Sequence, residues 1–238
     1  MSSEGKIVLV AGGTGGLGQA VSKVFLNDGA DLIVTFRSEQ EFVDLKRAVG
    51  ERSCRLIGRK IDVTDEAAVQ GFMDQIASER GRLDVLVNTV GGYVGGSKLW
   101  DLDTRLFDQM LNLNLRSGYV LARAAVKLML KVGSGAIVNI ASKAAVDHAA
   151  EAGAYAASKA AAVALMDSLA AELKGSGVRV NSILPNIIDT PVNRNMMPQA
   201  DYSKWPKPEE IARVILFLCG DDSKVIHGAA IPVYGNSG

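Results

Sequence analysis

The sequence is poor in cysteine and has no excess of either charge. Its two cysteines, Cys54 and Cys219, have neither metal-ligand spacing nor the pattern of a disulfide framework. This usage indicates a reducing cytoplasmic compartment and no bound metal. The 26 basic residues balance the 26 acidic residues. Neither nucleic acid nor an anionic membrane is therefore an expected partner.

Long apolar runs are also missing. The alanine-rich stretch 153–173 is interrupted by Lys159, Asp167 and Glu172, whereas a membrane helix needs about 20 predominantly apolar residues. The N-terminus passes from Lys6 into a short apolar run that soon becomes glycine-rich, which is not a signal-peptide pattern. Without linkers or repeats, residues 1–238 are expected to form a single domain.

Short β-branched segments alternate with longer helical patterns along the chain. The alternation predicts strands at 6–11, 31–36, 54–61, 83–88, 135–140, 178–184 and 229–233, and helices at 16–27, 39–49, 65–80, 103–131, 154–174 and 208–219. Several strands are apolar almost throughout, which is typical of strands buried on both faces. We expect an α/β fold with a doubly wound, Rossmann-like parallel sheet of about seven strands and helices on both faces. Residues 185–207 interrupt the alternation as an irregular loop that could cover a substrate.

A glycine-rich turn follows the first strand. Gly12, Gly16 and Gly18 have the spacing G-x3-G-x-G, and Gly13, Gly15 and Gly18 also satisfy G-x-G-x-x-G. A strand, a glycine turn and a helix N-terminus together form a site for a pyrophosphate. The alternative is a turn that serves only close packing of the helix on the sheet.

The end of the second strand bears on the choice of cofactor. Dinucleotide sites often place an acid there to bind the ribose 2′-hydroxyl, but here Phe36 is followed by Arg37 and Ser38. With no carboxylate at this point, Arg37 could pair with a 2′-phosphate. The pattern favours NADP(H) over NAD(H), although a solvated loop arginine is the other interpretation. After the third strand, Asp62 and Val63 are expected at the adenine edge, or Asp62 simply forms a turn.

Tyr155 and Lys159 lie four residues apart on a predicted helix and therefore share one face. A nearby ammonium favours the phenolate and lowers the tyrosine pKa from about 10, so that the tyrosine can exchange a proton with a carbonyl or alcohol oxygen. A tyrosine and a lysine at this spacing occur by chance in many helices, usually as two exposed side chains without a function. Ser142, however, lies thirteen residues before Tyr155, at the carboxyl end of the fifth strand, where ligands bind in open α/β sheets.

With Asn114 added, these motifs resemble the short-chain dehydrogenase/reductase family over almost the whole chain, from residue 6 to about 235. The resemblance implies a nicotinamide cofactor and oxidation or reduction of an alcohol or carbonyl. It implies that Tyr155 is the acid/base and that Lys159 lowers its pKa and binds the nicotinamide ribose. Ser142 would hold the substrate oxygen, and Asn114 would support a water.

The resemblance also extends the expected cofactor site beyond the glycine turn. Ile188 would offer backbone groups to the carboxamide, and Thr190 matches a family threonine that contacts the cofactor. The complete expected set is Gly12, Thr14, Gly15, Gly16, Leu17, Gly18, Arg37, Ser38, Asp62, Val63, Asn88, Thr89, Val90, Gly91, Tyr155, Lys159, Pro185, Ile188 and Thr190.

The chain departs from the family pattern at four places. Ala11 stands where a threonine with a turn-stabilising hydroxyl is usual, and residues 88–91 read N-T-V-G where N-N-A-G is usual. Pro185 is followed by Asn186 where glycine is usual, and Tyr234 replaces an acid. None of these changes removes a catalytic group, and together they indicate a divergent branch.

Two loops show a narrower resemblance. Residues 91–98 and 189–205 are similar to the corresponding loops of quinonoid dihydropteridine reductases, in which Tyr93 and Trp205 would offer stacking surface to a flat ring. That branch characteristically lacks the family serine and carries an acid after the second strand. Ser142, and the absence of an acid after the second strand of this chain, therefore do not fit it. Met196 and Met197 are expected to line the pocket cover, or to pack in an ordinary way.

The sequence thus favours an NADP(H)-dependent oxidoreductase acting on a small ketone, aldehyde or secondary alcohol. The alternatives are a pteridine-type reductase and a dinucleotide-binding sensor without catalysis. Family members usually form dimers or tetramers through the helices that match 103–131 and 154–174. We therefore expect a homotetramer or homodimer.

Overall fold

The computed structural model describes residues 3–237. Their β-branched segments form seven parallel strands of one sheet. The strands are β1 (Ile7–Ala11), β2 (Asp31–Phe36), β3 (Leu56–Lys60), β4 (Val85–Asn88), β5 (Gly135–Ile140), β6 (Val178–Pro185) and β7 (Ala230–Val233). Their order is β3-β2-β1-β4-β5-β6-β7, so the winding reverses between β1 and β4, which is where open α/β sheets bind ligands.

Eight α-helices cover the sheet within the described residues. They are α1 (Gly16–Asn27), α2 (Glu39–Val49), α3 (Glu66–Arg80), α4 (Thr104–Leu111), α5 (Ser117–Val132), α6 (Gly153–Glu172), α7 (Pro191–Met196) and α8 (Pro208–Cys219). None of the helices within residues 3–237 has the length and apolar character required to cross a bilayer.

Alternate strand residues point to opposite faces, and each face has its own core. Leu9, Leu86 and Ile137 pack with α3, α5 and α6, whereas Val8 and Val87 pack with α1 and α8 on the other face. All five of these side chains are almost completely buried. This three-layer arrangement confirms the predicted doubly wound α/β fold.

The observed strands and helices lie close to the positions predicted from the sequence, with three differences. A 3-10 helix at Gly50–Arg55 delays the start of β3 to Leu56. The predicted helix 103–131 is interrupted by a π-helical turn at Asn112–Arg116. Residues 185–207, predicted as irregular, contain the one-and-a-half-turn helix α7, which Thr190 caps and Pro191 begins. A six-residue helix is too short to show a helical hydrophobic period in the sequence.

Candidate active site and dinucleotide site

The glycine turn between β1 and α1 is packed too closely for side chains. A Cβ on Gly18 would lie 2.0 Å from the Gly12 carbonyl oxygen, and one on Gly16 would lie 2.9 Å from the Thr190 methyl carbon. The N-cap of α1 is Gly15, and within residues 3–237 no side chain caps this helix end. Its first N–H groups and the helix dipole are therefore available to an anion, so this cradle fits a dinucleotide pyrophosphate.

Hydrogen bonds from two neighbouring strands hold the turn in place. The Gly12 N–H donates to the Thr35 hydroxyl (3.0 Å), and the Gly13 N–H donates to the Thr35 carbonyl (3.2 Å). From the other side, the Thr89 hydroxyl donates to the carbonyls of Ala11 (2.7 Å) and Gly12 (3.1 Å). Thr89 thus supplies the turn-stabilising hydroxyl that Ala11 lacks, so two of the four departures from the family pattern compensate each other.

The residues after β4 connect this turn to the proposed catalytic groups. Asn88 is buried, donates to the Asn139 amide oxygen (3.0 Å) and accepts from the Val90 N–H (3.2 Å). A Cβ on Gly91 would lie 3.0 Å from both the Asn114 amide oxygen and the Lys159 Nζ. Gly91 therefore leaves space at the point where the chain passes Lys159.

The expected adenosine end of the site lies beside β2 and β3. Arg37 is exposed. The Asp62 carboxylate accepts hydrogen bonds from the Thr64 N–H (2.9 Å) and hydroxyl (2.8 Å). These bonds, and to a smaller extent the charge of Arg37, lower the Asp62 pKa. Asp62 therefore forms a turn beside Arg37, and Val63 next to it is buried.

Thr14 and Ser38 meet at a residue that sequence reasoning missed. The Ser38 hydroxyl caps α2 by accepting from the Glu41 N–H (3.4 Å), and the buried Thr14 hydroxyl donates to the Glu41 carboxylate (2.8 Å). The end of β2 carries no carboxylate, as expected, but a carboxylate from elsewhere reaches Thr14 in the glycine turn. The acid comes from the first turn of α2 rather than from the strand end.

Ser142 and Tyr155 are brought together at the carboxyl end of β5. Ser142 is buried and its hydroxyl accepts the Ala144 N–H (3.2 Å). The same hydroxyl lies close enough to the Tyr155 phenol to influence its pKa. Burial raises the pKa of Tyr155 above its usual value, the Ser142 hydroxyl partly offsets this rise, and the nearby Tyr93 adds to it. The phenol is therefore protonated at neutral pH.

Lys159 lies one helical turn below Tyr155 in the interior. Its ammonium is 6.0 Å from the centre of the Tyr155 ring and donates to the Ile140 carbonyl (2.9 Å). Burial lowers the pKa of Lys159 to about 8. The Tyr155 pKa is raised overall, because the desolvation of the phenol outweighs the other influences. The expected lowering of this pKa by Lys159 stays a prediction.

Asn114 lies in the π-helical turn, a feature that often marks functional sites. Its amide oxygen accepts the Gly92 N–H (2.9 Å), and its amide nitrogen donates to the Gly92 carbonyl (3.0 Å) and the Ser158 hydroxyl (3.0 Å). Ser158 in turn donates to the Tyr155 carbonyl (2.7 Å). Asn114 thereby connects the loop after β4 to the helix that carries Tyr155. The role of supporting a water stays a prediction.

Of the four expected pocket residues, Tyr93 lies directly at this site. Its ring meets the Tyr155 ring edge-on, with centroids 5.0 Å apart and planes at 79°, and it is 52% exposed. A Cβ on Gly95 would lie 2.1 Å from the Tyr93 hydroxyl, so a glycine is needed there for Tyr93 to fold back. Met196 and Met197, at the end of α7, are exposed.

The structure places Trp205 elsewhere. Its ring is buried, packs on Tyr202 with centroids 5.0 Å apart, and lines a groove with α8 and residues 233–236. That groove does not include Tyr93, Ser142 or Tyr155. We therefore correct the expectation that Trp205 stacks on a substrate, because burial under the C-terminal segment satisfies its large apolar surface.

The segment after β6 lies against the glycine turn. The Ile188 carbonyl accepts from the Thr190 N–H (2.8 Å) and from the Asn193 side chain (2.8 Å), and the Thr190 methyl group contacts Gly16. Asn186, which follows Pro185, donates to the Ser237 hydroxyl (3.1 Å). These contacts place the expected carboxamide-binding segment next to the expected pyrophosphate site.

Ser158 and Glu41 are the site residues that sequence reasoning missed. Glu41 stands three residues after Ser38, a spacing typical of a helix cap, and that signal alone does not indicate a dinucleotide contact. Ser158 looks like one more small residue of an alanine-rich helix. Within residues 3–237, no three His, Cys, Asp or Glu residues form a cluster that could hold a metal.

Comparison with known proteins agrees with this geometry. The chain is 30% identical to the 3-oxoacyl-acyl-carrier-protein reductase of Thermotoga maritima, covering 99% of this chain and 98% of the relative. It is 34% identical to the meso-2,3-butanediol dehydrogenase of Serratia marcescens, covering 100% and 96%. The solved structure of ElxO with NADP bound superposes with a TM-score of 0.92 at 28% identity, over 98% of both chains. The family model described as short chain dehydrogenase matches residues 6–201, and the chain belongs to this family of oxidoreductases acting on alcohol and carbonyl groups.

Proposed function

We propose that this chain is an NADP(H)-preferring oxidoreductase that interconverts a small ketone or aldehyde and the corresponding alcohol. The observation that carries the proposal is the position of the Lys159 ammonium 6.0 Å from the centre of the Tyr155 ring, with the Ser142 hydroxyl close enough to the phenol to influence its pKa. Ser142 follows the carboxyl end of β5, and Tyr155 and the buried Lys159 lie in the first two turns of α6.

The proposed roles follow from the protonation states of these groups. A bound nicotinamide supplies or accepts the hydride. Tyr155, whose raised pKa keeps it protonated, donates its proton to the carbonyl oxygen, which the Ser142 hydroxyl positions by a second hydrogen bond. The Lys159 ammonium below the ring stabilises the phenolate left behind. In the oxidative direction the Tyr155 phenolate accepts the proton of the alcohol, whose oxygen Ser142 positions.

The preference for NADP(H) is supported by Arg37. Its guanidinium is exposed at the end of β2, and neither flanking residue, Phe36 or Ser38, is acidic. A guanidinium can form two hydrogen bonds with a phosphate. ElxO, the structural relative described above, is a protein with NADP bound. Tighter binding of NADPH than of NADH, measured by calorimetry on the wild-type protein, is the expected result.

The substrate is proposed to be small and partly apolar. The half-exposed Tyr93 ring stands edge-on to Tyr155, so it limits the space next to the reacting oxygen. A relative of 34% identity is a meso-2,3-butanediol dehydrogenase, whose name describes a four-carbon diol. A vicinal diketone is therefore the first substrate to test.

The deciding experiment follows NADPH absorbance with a diketone and, separately, with a quinonoid dihydropterin. Consumption with the diketone supports the proposal. Preferential consumption with the pterin would overturn it in favour of the activity indicated by the loops at 91–98 and 189–205. Tight NADPH binding without consumption of either compound, or of a wider carbonyl panel, would instead indicate a non-catalytic sensor.

We also propose a cytoplasmic homotetramer or homodimer formed through α5 and α6. The exposed positions of α6 include Ala157, Ala164 and Ala171, small residues that let two helices approach closely. Light scattering should give a mass two or four times that of the 25.1 kDa chain. A monomeric mass would contradict the assembly.

A further inference from the structure

The segment that follows β7 lies against the turn that carries Ser142. Tyr234 directly follows β7, and the Lys143 ammonium stands over its ring, 5.4 Å from the ring centre. Lys143 comes immediately after Ser142 and begins the short 3-10 helix Lys143–Ala145, which the Ser142 hydroxyl caps. The Tyr234 ring is therefore separated by a single side chain from the backbone that presents Ser142.

Hydrogen bonds hold residues 234–237 in a fixed turn. The Ser237 hydroxyl donates to the Tyr234 carbonyl at 2.6 Å, and the Ser237 N–H reaches the same oxygen at 3.3 Å. The Asn186 amide donates to the Ser237 hydroxyl at 3.1 Å. The turn is thus attached to the start of the segment between β6 and α8, and this attachment limits the movement of Tyr234.

Two of the departures from the family pattern take part in these contacts. Asn186 stands where glycine is usual, and Tyr234 stands where an acid is usual. A glycine at position 186 would lack the amide that holds Ser237, and an acid at position 234 would lack the ring that Lys143 covers. Both departures therefore serve one chain of contacts that ends at the residue next to Ser142.

An ion pair is the other contact of the Lys143 ammonium. It lies 3.4 Å from the Asp147 carboxylate, whose side chain is 64% exposed, whereas that of Lys143 is 25% exposed. An exposed ion pair contributes little, while the attraction of a cation to an aromatic face grows as the cation loses water. The Tyr234 ring is therefore the contact that restricts Lys143 more strongly.

We propose that Tyr234 is a positioning residue for the reaction: its ring holds Lys143, and Lys143 holds the turn that presents the Ser142 hydroxyl to the substrate oxygen. The Lys143 carbonyl accepts the N–H groups of Val146 (3.0 Å) and Asp147 (2.9 Å), so a fixed Lys143 also fixes the rest of this turn. The inference rests on the proposed function, because it requires the role of Ser142 in binding the substrate oxygen.

Tyr234→Leu removes the ring face, and Tyr234→Phe keeps it. We expect Tyr234→Leu to lower kcat/KM for a diketone about three- to fivefold, the strength of one cation–π contact. The loss should lie mainly in kcat, because a misplaced donor costs most in the transition state, and NADPH affinity should stay within about twofold of wild type. Tyr234→Phe should restore the wild-type values. Equal losses in both variants, or a loss confined to NADPH affinity, would overturn the inference.

Lys143→Met and the double variant with Tyr234→Leu test whether Lys143 transmits the effect. Lys143→Met keeps the alkyl chain and should match Tyr234→Leu, and the double variant should lose no more than either single variant. Losses that multiply would overturn the transmission. Asp147→Asn is the matched control, since it removes the ion pair and keeps the ring contact; its kcat/KM should stay within about twofold of wild type. A loss in Asp147→Asn as large as in Lys143→Met would assign the effect to the ion pair and overturn the role of Tyr234.

Hydrogen exchange provides a measurement that needs no turnover. The Val146 and Asp147 amides bond to the Lys143 carbonyl, so Tyr234→Leu should speed their exchange about threefold, and Tyr234→Phe should leave it unchanged. Unchanged exchange in Tyr234→Leu would overturn the inference whatever the activity. A wild-type protein that consumes NADPH with no carbonyl compound would overturn the proposed function, and exchange would still report on the contact between Tyr234 and Lys143, so the two failures are distinguishable.

Discussion

The Thr89 hydroxyl donates to the Ala11 carbonyl at 2.7 Å, across the junction of β4 and β1. The same hydroxyl reaches the Gly12 carbonyl at 3.1 Å, so one side chain fixes the entry to the glycine turn. Residue 89, directly after β4, thereby acts on the glycine turn from the end of the neighbouring strand.

Replacing Thr89 by valine should loosen the turn. Two carbonyls lose their side-chain donor, which is expected to lower the free energy of unfolding by about 1–2 kcal/mol and to weaken NADPH binding. Urea unfolding and calorimetric titration measure the two effects. Thr89→Ser keeps the hydroxyl and should stay close to wild type. Equal losses in serine and valine variants would show that the hydroxyl is not the cause.

Replacing Tyr155 by phenylalanine should nearly abolish turnover while NADPH still binds. The change removes the proposed proton donor and keeps the ring that Tyr93 touches. A loss of at least about 100-fold in kcat is expected for a missing general acid, measured by NADPH absorbance with a diketone. Undiminished turnover would falsify the assignment of Tyr155 as the acid/base.

Lys159→Met should separate stability from activity. Burial lowers the Lys159 pKa from 10.5 to about 8, a desolvation cost to the folded state of about 3 kcal/mol at neutral pH. The substitution removes this cost but also removes the hydrogen bond to the Ile140 carbonyl, which offsets about 1 kcal/mol of the gain in stability. We expect Lys159→Met to be inactive but to melt about 4–8 °C higher at pH 7.

The stability gain of Lys159→Met is expected to decrease as the pH rises. Between pH 8 and 10.5 the unfolded chain holds a proton on Lys159 that the folded chain has lost, so the stability of the wild type rises with pH there. The advantage of Lys159→Met should therefore be complete below pH 8 and shrink as the pH rises toward 10.5. Thermal melts at pH 7 and pH 10 test this, and a variant less stable than wild type at pH 7 would contradict it.

Asn114→Ala should lower activity through the position of Tyr155. The variant leaves the Gly92 backbone and the Ser158 hydroxyl without their buried partner, a cost of about 2–3 kcal/mol in stability, and it frees the loop beside Lys159. We expect kcat to fall with NADPH affinity less affected. Asn112→Ala, an exposed position in the same π-helical turn, is the control and should match wild type in both measurements.

Glu151→Gly should stabilise the protein. Glu151 is the non-glycine residue with a positive φ, at 63°, within residues 3–237, and its carbonyl accepts the Gly96 N–H at 2.9 Å. Glycine adopts this backbone at a gain of about 1 kcal/mol. Glu151→Ala keeps the strained backbone and should show no gain. A melting temperature raised by alanine as much as by glycine would indicate that removing the side chain is what matters.

Much of the fold could be predicted because its signals are local. The apolar β-branched runs, the glycine turn and the helical spacing of Tyr155 and Lys159 are read from neighbouring residues. The π-helical turn at Asn112–Arg116 could not be predicted, since its extra residue is accommodated by contacts of Asn114 with Gly92 and Ser158 that are distant in sequence.

The sequence by itself determined the α/β architecture and the identities of the tyrosine, lysine and serine at the end of β5. The tertiary structure alone decided what surrounds them. It raises the Tyr155 pKa by burial, buries Trp205 outside the pocket, pairs Thr89 with Ala11 and brings Glu41 to Thr14. These outcomes depend on desolvation and on contacts that the folded chain creates, many of them between segments distant in sequence, which no local pattern encodes.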